Sequence, residues 1–244
     1  MKTQVPASNP PPNGRPFIQV NAAMSADGKI ATANRLLSSF GSRADRRHLL
    51  ELRAGADAVM CGAATINDHP VTLGPGPTHF RNLRRRRGLS EYNLRIIVSG
   101  TGSVNPDARV FHHHFSPILI LTTNRIPRAR LRRLLQVADL VRICGTEEIN
   151  FPETLRWLRN EWSISRLVCE GGGILNDALF RCGAVDELHL TLCPFIFGGS
   201  LAPTLSDGIG IPHLPNARHL ILRGRRRVGA ELFLRYQVMS ASNQ

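Results

Sequence analysis

Apolar residues occur in short blocks set between longer polar stretches, and their period changes along the chain. Residues 17–24 (FIQVNAAM), 57–61 (DAVMC), 94–99 (LRIIVS), 118–122 (ILILT), 140–144 and 166–170 read as strands, mostly buried on both faces. Segments of helical period lie between them. Ser42-Arg43-Ala44-Asp45 resembles a capping box with Asp in place of Glu or Gln, and it opens a helix through about Ala54. Residues 63–67 begin a short helix or turn. Residues 127–137, 152–161 and 175–181 read as helices, the first with an arginine-rich outer face, while 71–93 reads as an irregular stretch. After residue 181 only strands follow: 187–193 (ELHLTLC) alternates, and 220–227 with 231–238 form a hairpin through Val228-Gly229-Ala230.

Strand–helix alternation that ends in strands predicts an α/β fold, with a mostly parallel central sheet, flanking helices and a C-terminal antiparallel hairpin. Sites in such sheets form beyond the C-terminal ends of the strands. No linker divides the interior, so residues 16–240 read as a single domain behind a flexible tail, residues 1–15, rich in Pro and Asn. A chain of 244 residues can bury a sizeable core. No apolar run approaches the ~20 residues of a bilayer span, and the N-terminus lacks the apolar core of a secretory signal. A cytoplasmic protein with no membrane partner is expected. Cys61, Cys144, Cys169 and Cys193 sit in or beside apolar runs, and no C-x-x-C pair occurs among the five cysteines, so reduced buried thiols are expected rather than a metal site. His112-His113-His114 has the wrong spacing for ligation from one helix face and reads as a solvated loop.

The formal net charge of +13 is almost wholly arginine, since Lys2 and Lys29 are the only lysines. Arginine suits phosphate recognition, and a compositional bias would give the same count. The densest run, residues 84–87, falls in the irregular stretch and reads either as a phosphate or nucleic-acid patch or as a solvated basic loop. No aromatic residues interleave with it, which argues against nucleic acid held by base stacking.

The segment richest in chemistry is 167–176 (LVCEGGGILN), a strand that stops at Glu170, turns through Gly171, Gly172 and Gly173, and enters a helix. Backbone N–H groups at a helix start, unshielded by Cβ atoms, suit a diphosphate. Two more strands end in polar or glycine-containing exits: Gly62-Ala63-Ala64-Thr65, and Asn21 through Lys29 (NAAMSADGK). Plainer readings stand beside each: a glycine-rich turn, Thr65 as a helix cap, Asn21 as a satisfied core polar group, Asp27 bonded to its own turn.

In order and spacing these exits, with Asp186-Glu187-Leu188 and residues 194–199 (PFIFGG), resemble the riboflavin-biosynthesis reductases, the C-terminal reductase domain of bifunctional riboflavin deaminase-reductases. The resemblance covers nearly all of the chain after the tail. It implies a dihydrofolate reductase-like fold, NADPH as cofactor, a homodimer, and a phosphorylated small molecule as substrate, a pyrimidine bearing a phosphoribosylamino group. It places Gly62, Ala63 and Thr65 at the NADPH phosphates, with Gly171, Gly172 and Gly173 against the diphosphate from a second side and Leu175 near the cofactor. Ser99 falls where related folds hold the adenosine 2′-phosphate, and Ala22, Ala23 and Ile30 border the nicotinamide. Asn21, Ser25, Asp27 and Asp68 face the substrate. Lys29 anchors a ribose hydroxyl or the 5′-phosphate, and Glu170 supplies or holds a proton for the imine nitrogen during hydride transfer.

The chain departs from the family in one segment. Members commonly carry T-x-x-x-D-x-P, whereas Thr65-Ile66-Asn67-Asp68-His69-Pro70 is one residue shorter, leaving Asp68, His69 or Asn67 in the acidic place. The shortening favours a second reading, an NADPH reductase of another pyrimidine- or pterin-like compound. A third, a basic nucleic-acid-binding protein on the same fold, is favoured by the charge and disfavoured by the intact EGGG and GAAT segments. Whether the pyrimidine is reduced before or after its deamination stays open.

Overall fold

The computed structural model describes residues 14–35 and 40–239. The expected tail therefore lies outside the described residues except for Gly14 and Arg15, as does residue 240. Arg15 is not tail-like: its guanidinium forks onto Asp186 at 2.7 and 2.9 Å.

Nine strands form one sheet: β1 (Phe17–Ser25), β2 (Ala58–Gly62), β3 (Leu94–Val98), β4 (Ile118–Thr122), β5 (Leu140–Ile143), β6 (Arg166–Cys169), β7 (Glu187–Cys193), β8 (Leu220–Val228) and β9 (Glu231–Val238). Their spatial order is β5-β4-β3-β2-β6-β1-β7-β9-β8. Every pairing from β5 to β7 is parallel, and β9 pairs antiparallel with both β7 and β8. This is the expected mostly parallel sheet with its C-terminal hairpin.

The helices are α1 (Arg43–Arg53), α2 (Ala63–Asp68), α3 (Thr78–Arg86), α4 (Arg128–Leu134), α5 (Phe151–Glu161) and α6 (Gly173–Arg181). One face of the sheet packs Ile18, Val20, Met60, Ile96 and Leu119 against Leu155 and Leu158 of α5 and Leu175 and Leu179 of α6. The other packs Val59, Cys61, Ile97 and Ile120 against Ile66 of α2 and Leu134 of α4. Successive residues of β2, β3 and β4 thus meet a core on each side, which is why these runs read as continuously apolar.

The stretch expected to be irregular contains α3, and the arginine run is its last turn. Phe80 and Arg84, one helical turn apart, are both buried. Arg84 donates to the carbonyls of Ser90 (2.8 Å), Arg53 (2.7 Å) and Ala56 (2.5 Å), while Arg81 and Arg85 both pair with Glu91. The run is therefore the end of a helix and not an irregular loop: Arg84 is buried, while Arg85, Arg86 and Arg87 stay exposed. One core-facing position is an arginine, so hydropathy hides the helical period.

Among the described residues no helix is long and apolar enough to cross a membrane, and no group of three His, Cys, Asp or Glu could hold a metal ion.

Candidate active site

Strands β2, β6 and β1 are neighbours and parallel, so their C-terminal ends emerge at the same edge of the sheet. The topology thereby joins Gly62, Glu170 and Ser25. The first two exits are stitched directly: the Gly62 N–H donates to the Gly171 carbonyl at 3.0 Å. The Thr65 hydroxyl reaches the same carbonyl at 3.4 Å.

The three glycines do different work. Gly172 has φ +94°, a backbone that L side chains rarely adopt, and a Cβ there would find only the Thr65 hydroxyl oxygen, at 3.9 Å. Its open side, with the start of α6 behind it, is the place where backbone N–H groups can meet a diphosphate. Gly173 is needed for another reason. A Cβ on it would lie 2.5 Å from the Asp207 carboxylate and 2.7 Å from the Thr204 carbonyl. The Asp207 N–H also donates to the Gly173 carbonyl at 3.0 Å, so Gly173 packs on the 204–207 loop instead of presenting its Cα to a diphosphate. Leu175 is buried behind the turn. Ala63 opens α2 directly after Gly62.

Glu170 does not stand as a free acid. Arg53, from the last turn of α1, donates through Nε to Glu170 Oε1 and through Nη2 to Oε2, each at 2.5 Å, and its Nη1 donates to the Gly74 carbonyl at 2.6 Å. Both side chains are under a tenth exposed. Burial by itself lowers the pKa of a guanidinium, but the charge and hydrogen bonds of Glu170 outweigh it and raise that of Arg53. A carboxylate gripped at both oxygens by one guanidinium is held in one orientation as half of an ion pair. Burial, then the Glu170 charge, also pushes the neighbouring Cys61 thiol well up, so it is no nucleophile.

The turn after β1 is fastened to the 195–204 segment. Asp27 accepts from the Ser25 hydroxyl (2.5 Å), the Gly198 N–H (2.7 Å) and the Phe197 N–H (3.2 Å). These bonds, Ser25's foremost, hold its carboxyl down at about 2. Asp27 and Ser25 are therefore the clasp of a loop, and their polar atoms are spent on each other rather than turned to a substrate. Lys29 donates its backbone N–H to the Ser25 hydroxyl (3.0 Å) and its Nζ to the Ala202 carbonyl (3.2 Å). One bond leaves an ammonium two further donors. Ile30 donates its N–H to the Pro203 carbonyl at 2.9 Å. Ala22 and Ala23 are half-buried on β1, and Asn21 beside them is buried with no partner for Oδ1.

Two expected residues sit apart from this arrangement. The Ser99 hydroxyl is taken by its own turn, accepting from the Ser103 N–H at 2.9 Å, so it is not held out towards a 2′-phosphate. Asp68 is exposed on the last turn of α2, while Asn67 beside it bonds Ser103 and Asn105, both at 2.8 Å.

The start of α1 also differs from its motif. Ser42 caps the helix, accepting from the Ala44 N–H at 3.0 Å, but the reciprocal partner is Glu231 from β9. Its carboxylate takes the Ser42 N–H (2.7 Å) and hydroxyl (2.6 Å). Asp45 is thereby released from the box and turned inward, where the Thr191 hydroxyl bonds it and Oδ1 has no partner. Arg53 and Thr191 were not singled out from the sequence, and Asp45 only as the last residue of a capping box. The available signal was one charged residue at each end of one helix, Asp45 and Arg53, easily taken for capping and last-turn charge.

This geometry fits what comparisons find. The model of the RibD C-terminal domain matches residues 16–234. A "2,5-diamino-6-ribosylamino-4(3H)-pyrimidinone 5′-phosphate reductase" of Aquifex aeolicus is 32% identical over 93% of this chain and 98% of its own length. The protein of the same name from Methanothermobacter thermautotrophicus is 32% identical over 92% and 99%. Among solved structures, a pyrimidine reductase-like protein of Corynebacterium diphtheriae superposes with a TM-score of 0.76, at 23% identity, over 92% of both chains. The chain belongs to the RibD C-terminal domain family.

Proposed function

We propose that this chain is a reductase of riboflavin biosynthesis that uses NADPH to convert the phosphoribosylamino group of a pyrimidine into its ribityl form. The observation that carries the reading is the convergence of three strand exits: a glycine cradle at β2 and β6, and beside it the β1 exit with Lys29. Gly62, Ala63, Thr65, Gly171 and Gly172, with the N–H groups that open α6, would hold the dinucleotide's diphosphate. Ala22, Ala23 and Ile30 would border its nicotinamide. When bound, the reduced nicotinamide supplies the hydride.

The chain's own residues then position and polarise. The ring-opened ribosylamine is a C1′=N imine. Protonated at nitrogen by a proton from solvent, it takes the hydride at C1′ and leaves a secondary amine on an open ribityl chain. Positive charge on that iminium is stabilised by the fixed carboxylate of Glu170, which Arg53 holds in a single orientation without reorganisation. The donors that Lys29 keeps free are available to the 5′-phosphate or a ribose hydroxyl. The family resemblance also implies a homodimer.

A second reading, reduction of another pyrimidine- or pterin-like compound, is favoured by the shortened segment after Thr65, where Asn67 is fastened to the 103–105 turn and Asp68 is exposed. Oxidation of NADPH followed against both the diamino and the deaminated phosphoribosyl pyrimidines separates the two. Turnover of at least one with NADPH, and much slower turnover with NADH, is expected. No turnover of either would favour the second reading.

A further inference from the structure

Residues 202–207 reach two of the exits that meet at the site. At one end they lie on the β1 exit. The Ile30 N–H donates to the Pro203 carbonyl at 2.9 Å, Lys29 and Thr204 form an antiparallel bridge, and the Lys29 ammonium donates to the Ala202 carbonyl at 3.2 Å. At the other end they lie on the glycine turn. The Asp207 N–H donates to the Gly173 carbonyl at 3.0 Å, and Asn176 Nδ2 donates to the Leu205 carbonyl at 2.9 Å. Asn176 is 1% exposed and sits against Gly171, where an added Cβ would lie 2.8 Å from its amide. The segment is thus a strap between the glycine cradle and Lys29.

Asp207 gives the strap its shape. One oxygen of its carboxylate takes the Thr204 N–H at 2.8 Å and the other takes the Thr204 hydroxyl at 2.5 Å, which closes the turn 204–207. Hydrogen bonds to a charged acceptor are stronger than neutral ones. One residue therefore ties the cradle through its main chain and fixes the Lys29 end through its side chain. A lysine ammonium rides on a flexible four-carbon stem, so the carbonyl it bonds decides where its remaining donors point. That carbonyl, of Ala202, belongs to the strap.

Building on the reductase reading, we propose that Asp207 is a positioning residue: by shaping the 202–207 strap it holds the Lys29 ammonium at a fixed place relative to the dinucleotide cradle, where it meets the phosphate or a ribose hydroxyl of the substrate. Both of its oxygens are engaged by Thr204, so it acts through Lys29 rather than on a reactant. Losing that setting weakens binding at a part of the substrate remote from C1′, which raises KM more than it lowers kcat.

The test is steady-state kinetics with NADPH on whichever phosphoribosyl pyrimidine the wild type turns over. Asp207→Ala and Thr204→Val are each measured alone and combined with Lys29→Ala, with folding checked by circular dichroism and NADPH affinity by fluorescence titration. Asp207→Ala should raise substrate KM by about tenfold, with kcat and the NADPH dissociation constant within about threefold of the wild type. Thr204→Val, which removes only the hydroxyl donor, should raise KM by about threefold. In the Lys29→Ala background neither substitution should move KM by more than about twofold, because effects that act through one group are not additive. An unchanged KM in folded Asp207→Ala, or a rise as large without Lys29 as with it, would overturn the proposal. So would equal losses of kcat and NADPH affinity, the signature of a general loosening. If Asp207→Ala does not fold, Thr204→Val decides by the same comparison. A wild type that turns over neither pyrimidine would remove the reductase reading and this proposal with it.

Discussion

At the scale of single residues, Glu170 shows how far local sequence reaches. Its position at the mouth of a glycine turn was legible because strand, carboxylate and glycines are consecutive. Its partner was not, because Arg53 lies 117 residues away and meets it only through the sheet order. That partner makes an expected free acid one half of a buried ion pair. Removing one member of such a buried pair strands the other, so Arg53→Met should lower unfolding stability in urea by about 3–5 kcal/mol, while Arg53→Met with Glu170→Leu should recover most of the loss. Equal destabilisation by the single and double variants would show that the pair is not coupled. Glu170→Gln keeps the shape and removes the charge. It should reduce kcat by about a hundredfold while leaving NADPH affinity intact, and an unchanged kcat would take Glu170 out of the chemistry. Asp27, by contrast, had its plainer reading in view from the start. A turn aspartate bonding locally is what the structure contains, although two of its N–H donors come from residues 197 and 198.

Among the elements, the strands were legible and α3 was not. β2, β3 and β4 are buried on both faces, so hydropathy alone marks them. α3 buries an arginine, whose polar head is satisfied by the carbonyls of Arg53 at the end of α1, Ala56 just after it and Ser90 beyond α3. A sequence scale scores that position as solvent-facing. Arg84→Ala would remove all three of these bonds, leaving the Arg53 carbonyl only the Ala56 N–H at 3.3 Å, and should cost about 2–4 kcal/mol in denaturant unfolding. Arg86→Ala, at an exposed position two residues on, should stay within about 0.5 kcal/mol. Equal effects would mean that Arg84 is surface charge after all. The start of α1 carries a related lesson: the capping serine was identifiable, but the carboxylate that completes the cap arrives from β9. A local motif names the demand for a partner without saying which element supplies it.

For the molecule as a whole, alternation of strands and helices followed by strands was enough to foresee the sheet, while the insertion of β6 between β2 and β1, which assembles the site, is a property of the full topology. Folding also ties stability to pH through α1. Burial first, then the charge of His189, depresses the His48 imidazole from 6.5 to about 4. Between those values the unfolded chain binds the extra proton, so stability is full above about pH 6.5 and falls as pH drops towards 4, by about 1–3 kcal/mol. Asp45, whose pKa is raised, works in the opposite direction and softens the fall. Denaturant midpoints from pH 7 to 4 should therefore decline less in His48→Leu than in the wild type, and parallel profiles would refute the assignment. The central claim is that the joined exits of β2 and β6 hold a nicotinamide dinucleotide beside the exit of β1. A crystal structure with bound NADPH tests it most directly. The account predicts diphosphate oxygens within hydrogen-bond reach of the backbone N–H groups around Gly172 and the start of α6, with the nicotinamide ring against Ala22 and Ala23. A dinucleotide bound anywhere else on the chain would contradict it.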